Sequence, residues 1–207
     1  MATEHFDEKA ATWDDDGDKE RQSGEIARGI TAAASPAGGD RLLEYGAGTG
    51  LVTQALLEAT PGLLVTLADN STGMREAIGN KVEAGALPPD TRVWDLDLES
   101  DPVPEDRFEL IVTSMVMHHV KELETVLRGF ATMLEPGGHL CIADLDHEDG
   151  SFHDHDFEGH HGFHRSEVEA SLTAAGLVEV HIGDGTSIER EDGTYPVFLA
   201  VATRPSD

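Results

Sequence analysis

The chain has 207 residues, enough for one domain with a substantial core and too few for two. Forty-one acidic residues against fourteen Lys and Arg give a formal net charge of −27 at pH 7. A surface of this sign repels phosphate backbones and anionic lipids, which disfavours nucleic acid and membranes as partners. The acidic excess fits either a solubilising surface or adaptation to high salt, where cations screen the self-repulsion.

Hydropathy and cysteine content predict a cytoplasmic protein. The longest apolar runs, such as residues 110–116, are far shorter than the roughly 20 residues that span a bilayer. Residues 1–9 are polar and acidic, unlike a secretory signal. The single cysteine, Cys141, lies within an apolar run, which predicts a buried thiol.

The chain begins with an acidic segment, and a predicted helix follows it. Residues 1–22 are rich in Asp and Glu, and Phe6 and Trp13 are the only large apolar side chains between residues 4 and 20. This composition predicts an exposed lead-in, with the two aromatic rings as possible docking points. A helix is predicted over residues 23–34, because Ile26 and Ile30 share one face.

Strand and helix patterns then alternate. The predicted strands are residues 41–45, 63–69, 91–96, 107–114 and 139–144, and the predicted helices are residues 51–59, 71–84 and 119–134. This alternation indicates βαβ units and a parallel sheet covered on both faces, in a single domain spanning residues 1–207. Beyond a polar stretch, we predict a helix over 166–175 and a strand pair, 177–182 and 196–203, joined by a loop over 183–194.

A glycine-rich loop follows the first predicted strand. Gly46, Gly48 and Gly50 allow a sharp turn and a close ligand approach. The third glycine of a dinucleotide motif is missing, and so is the Gly-Lys-Ser/Thr of a phosphate loop. Glu44, just before the loop, would repel a pyrophosphate but attract an ammonium or sulfonium group.

An aspartate, Asp69, ends the second predicted strand. A carboxylate there can accept hydrogen bonds from the two hydroxyls of a ribose. It can equally be a turn or helix-capping residue, which is common at this junction. Together with the glycine loop, the ribose interpretation is favoured.

Six segments in this order resemble the motifs of the class I S-adenosylmethionine-dependent methyltransferases. They are Glu44 to Gly50, Asp69 to Met74, Asp97 to Glu99, Phe108 to Ile111, His118-His119 and Leu134 to Gly138. The resemblance covers residues 40–144. It implies an α/β, Rossmann-like, doubly wound sheet of seven mostly parallel strands, with helices on both faces and the last strand antiparallel. It also implies S-adenosyl-L-methionine as the cofactor.

The resemblance assigns a part of the cofactor to each matching residue. Glu44 and the loop residues Gly46, Ala47, Gly48 and Gly50 would hold the methionine moiety. Asp69 would bind the ribose, Asn70 and Met74 would border the adenine, Asp97 and Leu98 would meet its edge, and Ser114 and Met115 would line the floor near the methyl group. Glu109 stands where the family usually has aspartate. Asp95 competes with Asp97, which we choose for its distance to Phe108.

Histidines cluster in the second half of the chain. Six of the eleven lie between His147 and His164, interleaved with acids. No spacing matches a known metal motif, so no metal site is predicted, and residues 145–164 are interpreted as an insertion that can act as a lid over an acceptor. His118 and His119 follow the most apolar strand. One of them could accept a proton or merely pack there, and His119 is the candidate catalytic residue.

The sequence therefore predicts methyl transfer from S-adenosylmethionine to a small-molecule acceptor. A non-catalytic S-adenosylmethionine-binding protein would share every cofactor residue and stays open as an alternative. A nicotinamide-dependent oxidoreductase is disfavoured by the missing third glycine. Neither the acceptor nor the oligomeric state can be read from these residues.

Overall fold

One seven-stranded sheet forms the centre of the protein in a computed structural model that describes residues 2–153, 157–190 and 193–206. The strands are β1 (Arg41–Tyr45), β2 (Leu64–Ala68), β3 (Arg92–Trp94), β4 (Phe108–Ser114), β5 (Leu134–Leu145), β6 (Val178–Arg190) and β7 (Gly193–Thr203). Their order in the sheet is β3-β2-β1-β4-β5-β7-β6. β1 to β5 run parallel, whereas β7 is antiparallel to both of its neighbours. The predicted sheet, including its antiparallel last strand, is confirmed.

Helices cover both faces of this sheet. They are α1 (Ala2–Lys9), α2 (Gly17–Ala34), α3 (Leu51–Ala59), α4 (Thr72–Glu83), α5 (Leu123–Met133) and α6 (Arg165–Ala174), with 3₁₀ turns at Ala10–Asp15 and Met117–His119. Successive β1 residues belong to different apolar cores: Leu42 lies in the same core as Ile30, and Leu43 lies in the same core as Phe130. Burial on both faces explains why the strands read as continuous apolar runs. Within the described residues, no helix has the length and apolarity needed to cross a membrane.

The topology opens a crevice beside β1. The chain passes from β1 to β2 on one side, and it later places β4 on the other side of β1. Because the strand order reverses at β1, the loops that follow β1 and β4 diverge and leave a crevice between them. Ligands of open α/β sheets bind in this crevice, beyond the carboxyl ends of the strands.

The side chains of residues 5–22 are mostly exposed, in agreement with the predicted acidic lead-in, but the segment is folded onto the domain. Its described part, from residue 2 to residue 22, is helical and packs on the domain. Asp7 Oδ1 accepts hydrogen bonds from Ser71 Oγ at 2.6 Å and from the Gly73 N–H at 2.8 Å. Asp14 accepts a hydrogen bond from Thr49 Oγ1 and pairs with Lys81 Nζ at 2.7 Å. The composition predicts the exposure of these acids but not their contacts, because only the folded chain brings their partners near.

The polar segment over residues 183–194, which was predicted to be a loop, is mostly β-strand in the structure. β6 runs on to Arg190 and β7 already begins at Gly193, so the two strands form one long hairpin. The hairpin packs on α2, where Thr186 Oγ1 donates to Glu25. Tyr195, which is 6% exposed, anchors it to the core. A hairpin with one solvated face can be largely polar and still form strands.

Glu109, the departure from the family pattern, has a local structural role. Its carboxylate accepts hydrogen bonds from the side chain and the backbone N–H of Arg41, and Arg41 Nη2 also donates to Glu135 at 2.7 Å. The Arg41 hydrogen bonds lower the pKa of Glu109. The Glu109 side chain, which is longer than the usual aspartate, therefore links the starts of β1 and β5 to β4 through Arg41.

Candidate active site

The glycine loop turns sharply between β1 and α3. Gly46, Gly48 and Gly50 have φ values of 67°, 55° and 82°, a left-handed conformation that favours glycine. A Cβ at Gly46 would collide with the side chain of Val116, which follows β4. The loop therefore lies directly against the end of the neighbouring strand, as the switch point of the sheet requires.

Asp69 ties this loop to the end of β2. Its Oδ2 accepts a hydrogen bond from the Gly48 N–H at 2.8 Å, and its Oδ1 accepts one from the Ser71 N–H at 2.8 Å. Burial raises the pKa of Asp69, an effect that these two N–H groups oppose. The predicted turn role is thus present, and a carboxylate has enough lone pairs to accept ribose hydroxyls as well.

Glu44 lies at the floor of the crevice, only 3% exposed. One of its oxygens accepts hydrogen bonds from the backbone N–H and the hydroxyl of Thr53 in α3. Burial raises the pKa of Glu44 to about 7. The Asp69 carboxylate contributes to this increase, whereas the Thr53 hydrogen bonds and Lys81 oppose it. A buried acid that titrates near neutral pH is well suited to a cationic partner.

The residues predicted at the adenine differ in their surroundings. Asn70 is exposed, whereas Met74 is 1% exposed at the start of α4. Asp97 accepts hydrogen bonds from the Glu99 N–H and from Ser100 Oγ, both at 3.0 Å, so its side chain shapes its own turn. Leu98 is buried and its N–H donates to the Tyr45 hydroxyl at 3.1 Å.

Asp95, the other candidate for the adenine position, forms an ion pair with Arg75. Its carboxylate pairs at the surface with Arg75, which also donates to the Asp69 carbonyl. The predicted adenine residues therefore surround the carboxyl ends of β2 and β3. The preference for Asp97 over Asp95 stays a prediction.

Ser114 and Met115 end β4 at the mouth of the crevice, and both are partly exposed. Met115 has a φ of 57°, which is uncommon for a residue with a side chain. Its N–H donates to the Ala143 carbonyl at 2.8 Å, which fixes the strained residue to β5. Strained backbone of this kind concentrates at functional sites.

Two adjacent histidines occupy the 3₁₀ turn after β4. His118 is 2% exposed, and its Nδ1 lies 2.7 Å from Oδ1 of the buried Asp144 in β5. Burial lowers the pKa of His119 to about 3, with the neighbouring His118 adding to the effect. The candidate predicted from sequence, His119, is therefore a neutral imidazole, and the carboxylate partner belongs to His118. Adjacency in sequence gave no means of separating the two.

The N-terminal segment covers this site. The Phe6 ring meets the ring of His119 edge to face at 5.6 Å and that of Trp13 at 5.9 Å. A Cβ on Gly48 would lie 3.8 Å from Trp13 Nε1, so the indole stands over the glycine loop. These were the two aromatic residues that the sequence marked as possible docking points.

The histidine-rich segment lies against the end of β5 and the 3₁₀ turn after β4. The Phe163 N–H donates to the Leu145 carbonyl at 2.9 Å, and the His147 N–H donates to the Phe163 carbonyl at 3.0 Å. The His160 N–H donates to the His118 carbonyl at 2.7 Å, which fastens the segment to the 3₁₀ turn. Residues 154–156, part of the predicted lid over 145–164, lie outside the described residues.

A cavity of about 560 Å³ lies away from the crevice, where α2 and the start of α6 meet the β6–β7 hairpin. Its charged groups pair with one another: Arg165 with Asp146 and Asp184, and Arg21 with Glu25. Because each of these charged groups already has a partner of opposite charge in the lining, the cavity gives no argument for a charged ligand.

Comparisons with known proteins agree with this geometry. A family model described as a methyltransferase domain matches residues 18–182. The highly reducing polyketide synthase acrA of Aspergillus aculeatus is 35% identical over 114 residues, which cover 52% of this chain and 5% of that protein. The chain thus spans only a small part of the length of such relatives.

Two solved structures share the fold. One chain of the complex between the Haloferax volcanii Trm112 methyltransferase activator and a methyltransferase superposes with a TM-score of 0.74 at 20% identity, covering 97% of each chain. Phosphoethanolamine N-methyltransferase 2 of Haemonchus contortus, in complex with S-adenosyl-L-methionine, has a TM-score of 0.71 at 15% identity. That match covers 86% of this chain and 52% of the other.

Proposed function

We propose that this chain, which belongs to the methyltransferase-domain family, is an S-adenosylmethionine-dependent methyltransferase. Its acceptor would be a small molecule bound beside the carboxyl ends of β1, β2 and β4. The observation that carries this proposal is the convergence of Glu44, the glycine loop and Asp69 in one crevice, with Asp69 bonded to the Gly48 N–H.

The cofactor would lie along this crevice. The ammonium group of its methionine moiety would meet Glu44, the buried acid with the raised pKa. Gly46, Ala47, Gly48 and Gly50 would let the backbone approach the methionine moiety without side chains intervening. The ribose hydroxyls would meet Asp69, with Asn70, Met74, Asp97 and Leu98 around the adenine.

The acceptor would bind beyond the sulfur, next to Ser114, Met115 and the 3₁₀ turn Met117–His119. Phe6 and the segment after β5 enclose this end of the crevice. Methyl transfer is a displacement in which the acceptor atom bonds the methyl carbon as the carbon–sulfur bond breaks. Its main demand is alignment, so an enclosed pocket that holds the two reactants in line can supply much of the rate.

The charge of the protein fits such an acceptor better than a polyanion. With a net charge of −27, nucleic acid and anionic membranes would be repelled. A small neutral or cationic molecule would not be repelled by this charge.

Isothermal titration calorimetry tests the cofactor assignment. We expect binding of S-adenosylmethionine and S-adenosylhomocysteine at one site, and no comparable binding of NAD. Binding of NAD in place of S-adenosylmethionine would contradict the assignment of the crevice.

Turnover tests the enzyme assignment. The protein would be incubated with methyl-labelled S-adenosylmethionine and a panel of phenols, carboxylic acids, amines and β-keto thioesters, and S-adenosylhomocysteine would be quantified. We expect release of S-adenosylhomocysteine that depends on one acceptor class. Tight cofactor binding without acceptor-dependent turnover across such panels would favour the non-catalytic alternative.

A further inference from the structure

Three histidines from two distant segments meet beside the crevice. His118 and His119 belong to the 3₁₀ turn after β4, and His153 comes from the segment after β5. The ring centroids of His118 and His119 are 4.2 Å apart, and that of His153 lies 5.5 Å from the first and 5.9 Å from the second. One ring nitrogen from each histidine lies within 4.8 Å of the other two. We call this group the histidine cluster.

Asp144 holds the innermost member of the histidine cluster. Its Oδ1 lies 2.7 Å from His118 Nδ1 and also accepts from the Leu145 N–H at 2.8 Å, while its Oδ2 accepts from the His118 N–H at 3.3 Å. A carboxylate in this position keeps the imidazole proton on Nδ1 and leaves the lone pair on Nε2. The same carboxylate–histidine pairing orients the ligands of protein-bound metals and makes them more basic.

Aromatic rings enclose the outer members. The Phe157 ring stacks on His153 at a centroid distance of 3.6 Å and meets His119 edge to face at 5.1 Å. Phe6 covers His119 from the N-terminal side. The histidine cluster is therefore partly shielded from water, which strengthens electrostatic and coordinate interactions formed there.

We propose that His118, His119 and His153 bind one divalent transition metal ion of the zinc type, with Asp144 fixing His118 and at least one coordination position open to the acceptor. Imidazole nitrogens suit Zn²⁺, Co²⁺ and Ni²⁺, whereas Mg²⁺ and Ca²⁺ prefer oxygen. Three protein ligands and an open position are the pattern of catalytic rather than structural zinc. To bind an ion at metal–nitrogen distances of about 2.0–2.1 Å, the distances between the ring nitrogens of different histidines would have to shorten by at most about 1.5 Å.

The position of the histidine cluster suits a role in binding the acceptor, an inference that rests on the proposed function. His118 follows Val116 by two residues, and Val116 contacts Gly46 of the cofactor loop. An acceptor oxygen bound at the open position would therefore lie at the cofactor crevice. The acceptor class is then a molecule with a hydroxyl or an enolisable carbonyl. A hydroxyl would give its O–H proton to water as its oxygen coordinates the ion, whereas a carbonyl would give up a proton from its α-carbon to water and coordinate through the enolate oxygen.

Metal titration of protein purified without a histidine tag and stripped with a chelator tests this inference. Calorimetry should show one equivalent of Zn²⁺ or Co²⁺ and no matching site for Mg²⁺. The Co²⁺ form should show visible absorption bands of a four- or five-coordinate nitrogen site. His119→Ala and His153→Ala should weaken binding at least tenfold, and Asp144→Asn should weaken it about 10–100-fold.

His181→Ala is the matched control, because this histidine is exposed on β6, away from the histidine cluster. It should bind metal like the wild-type protein. Equal binding by His153→Ala and His181→Ala would show that the acidic surface alone collects the ion and would overturn the inference. Absence of a one-equivalent site in the wild type would do the same and leave His118–Asp144 as a metal-free pair.

Cofactor binding separates this inference from the proposed function. The metal-stripped protein should still bind S-adenosylmethionine, because Glu44 and Asp69, the main polar residues proposed for the cofactor, lie at the ends of β1 and β2 and not in the histidine cluster. Loss of cofactor binding in a protein that still holds one metal ion would contradict the proposed function and leave the metal site standing.

Discussion

The Gly48 N–H donates to Asp69 Oδ2 at 2.8 Å, so one carboxylate joins the loop after β1 to the end of β2. Asp69→Ala removes this bond, the Ser71 N–H bond and the acceptors proposed for the ribose. Because lost charge-assisted hydrogen bonds cost about 1–3 kcal/mol, we expect S-adenosylmethionine affinity to fall by that amount in calorimetry.

Asp106→Ala is the control for this change. Asp106 is partly exposed and pairs with Arg92 at the start of β3, at the opposite edge of the sheet from the glycine loop. Its removal should leave cofactor affinity within about twofold, since exposed ion pairs contribute 0–1 kcal/mol. Wild-type affinity in Asp69→Ala would rule out the ribose assignment.

Glu44 should make stability depend on pH. Its pKa is raised from 4.5 to about 7 by burial, so the folded state holds the proton more tightly than the unfolded state. Its stabilising contribution is therefore full below pH 4.5 and is lost as pH rises through 7. Relative to Glu44→Gln, the wild-type free energy of unfolding should decline between pH 4.5 and 7.5, as measured by urea denaturation.

Cofactor binding should depend on pH in the opposite direction. An ammonium group near Glu44 favours the carboxylate, so S-adenosylmethionine affinity should rise between pH 5.5 and 7 in the wild type. The groups facing Glu44 are Asp69 and Lys81, and both are retained in Glu44→Gln. The variant should bind weakly and show a flatter profile. Identical profiles in the two proteins would place the ammonium group elsewhere.

Salt should stabilise the protein. A net charge of −27 imposes self-repulsion that added ions screen. We expect the melting temperature to rise with KCl and to level off near 1 M, where the Debye length is about 3 Å. A continued rise at higher KCl, beyond that produced by sucrose, would indicate adaptation to high salt. A flat or falling melting temperature would contradict both expectations.

The sheet could be predicted because each strand carries its own signal. The apolar runs around Leu42 and Ile111 indicate strands that are buried on both faces of the sheet. The glycines between these runs indicate a turn in the left-handed conformation. Ordered motifs then assigned Glu44 and Asp69 to the crevice, where the structure places them.

The individual contacts that hold the N-terminal and histidine-rich segments beside the site could not be predicted, because they join residues that are distant in the sequence. Asp7 is an ordinary surface acid in the sequence, and only folding brings it to Ser71. His118 and His153 are 35 positions apart, a spacing that matches no short metal motif. Such groups form through tertiary packing, which periodicity and spacing do not report.

The contact of α1 with α4 offers a test of the covering over the cofactor site. Gly73 lies in the first turn of α4, and a Cβ there would lie 2.9 Å from the backbone of Asp7. Gly73→Ala should push α1 away at a cost of about 1–3 kcal/mol, typical of overpacking. Hydrogen exchange over residues 2–15 should then accelerate about 5- to 150-fold, the range that this energy corresponds to.

Gly79→Ala is the matched control in the same helix, because a Cβ there meets nothing within 4 Å. It should stabilise α4 by up to about 1 kcal/mol and leave exchange over residues 2–15 unchanged. In stopped-flow experiments, Gly73→Ala should bind and release S-adenosylmethionine faster than Gly79→Ala, because α1 and the turn after it stand over the glycine loop. Equal rates in two variants that differ in exchange would show that the cofactor reaches its crevice without displacement of α1.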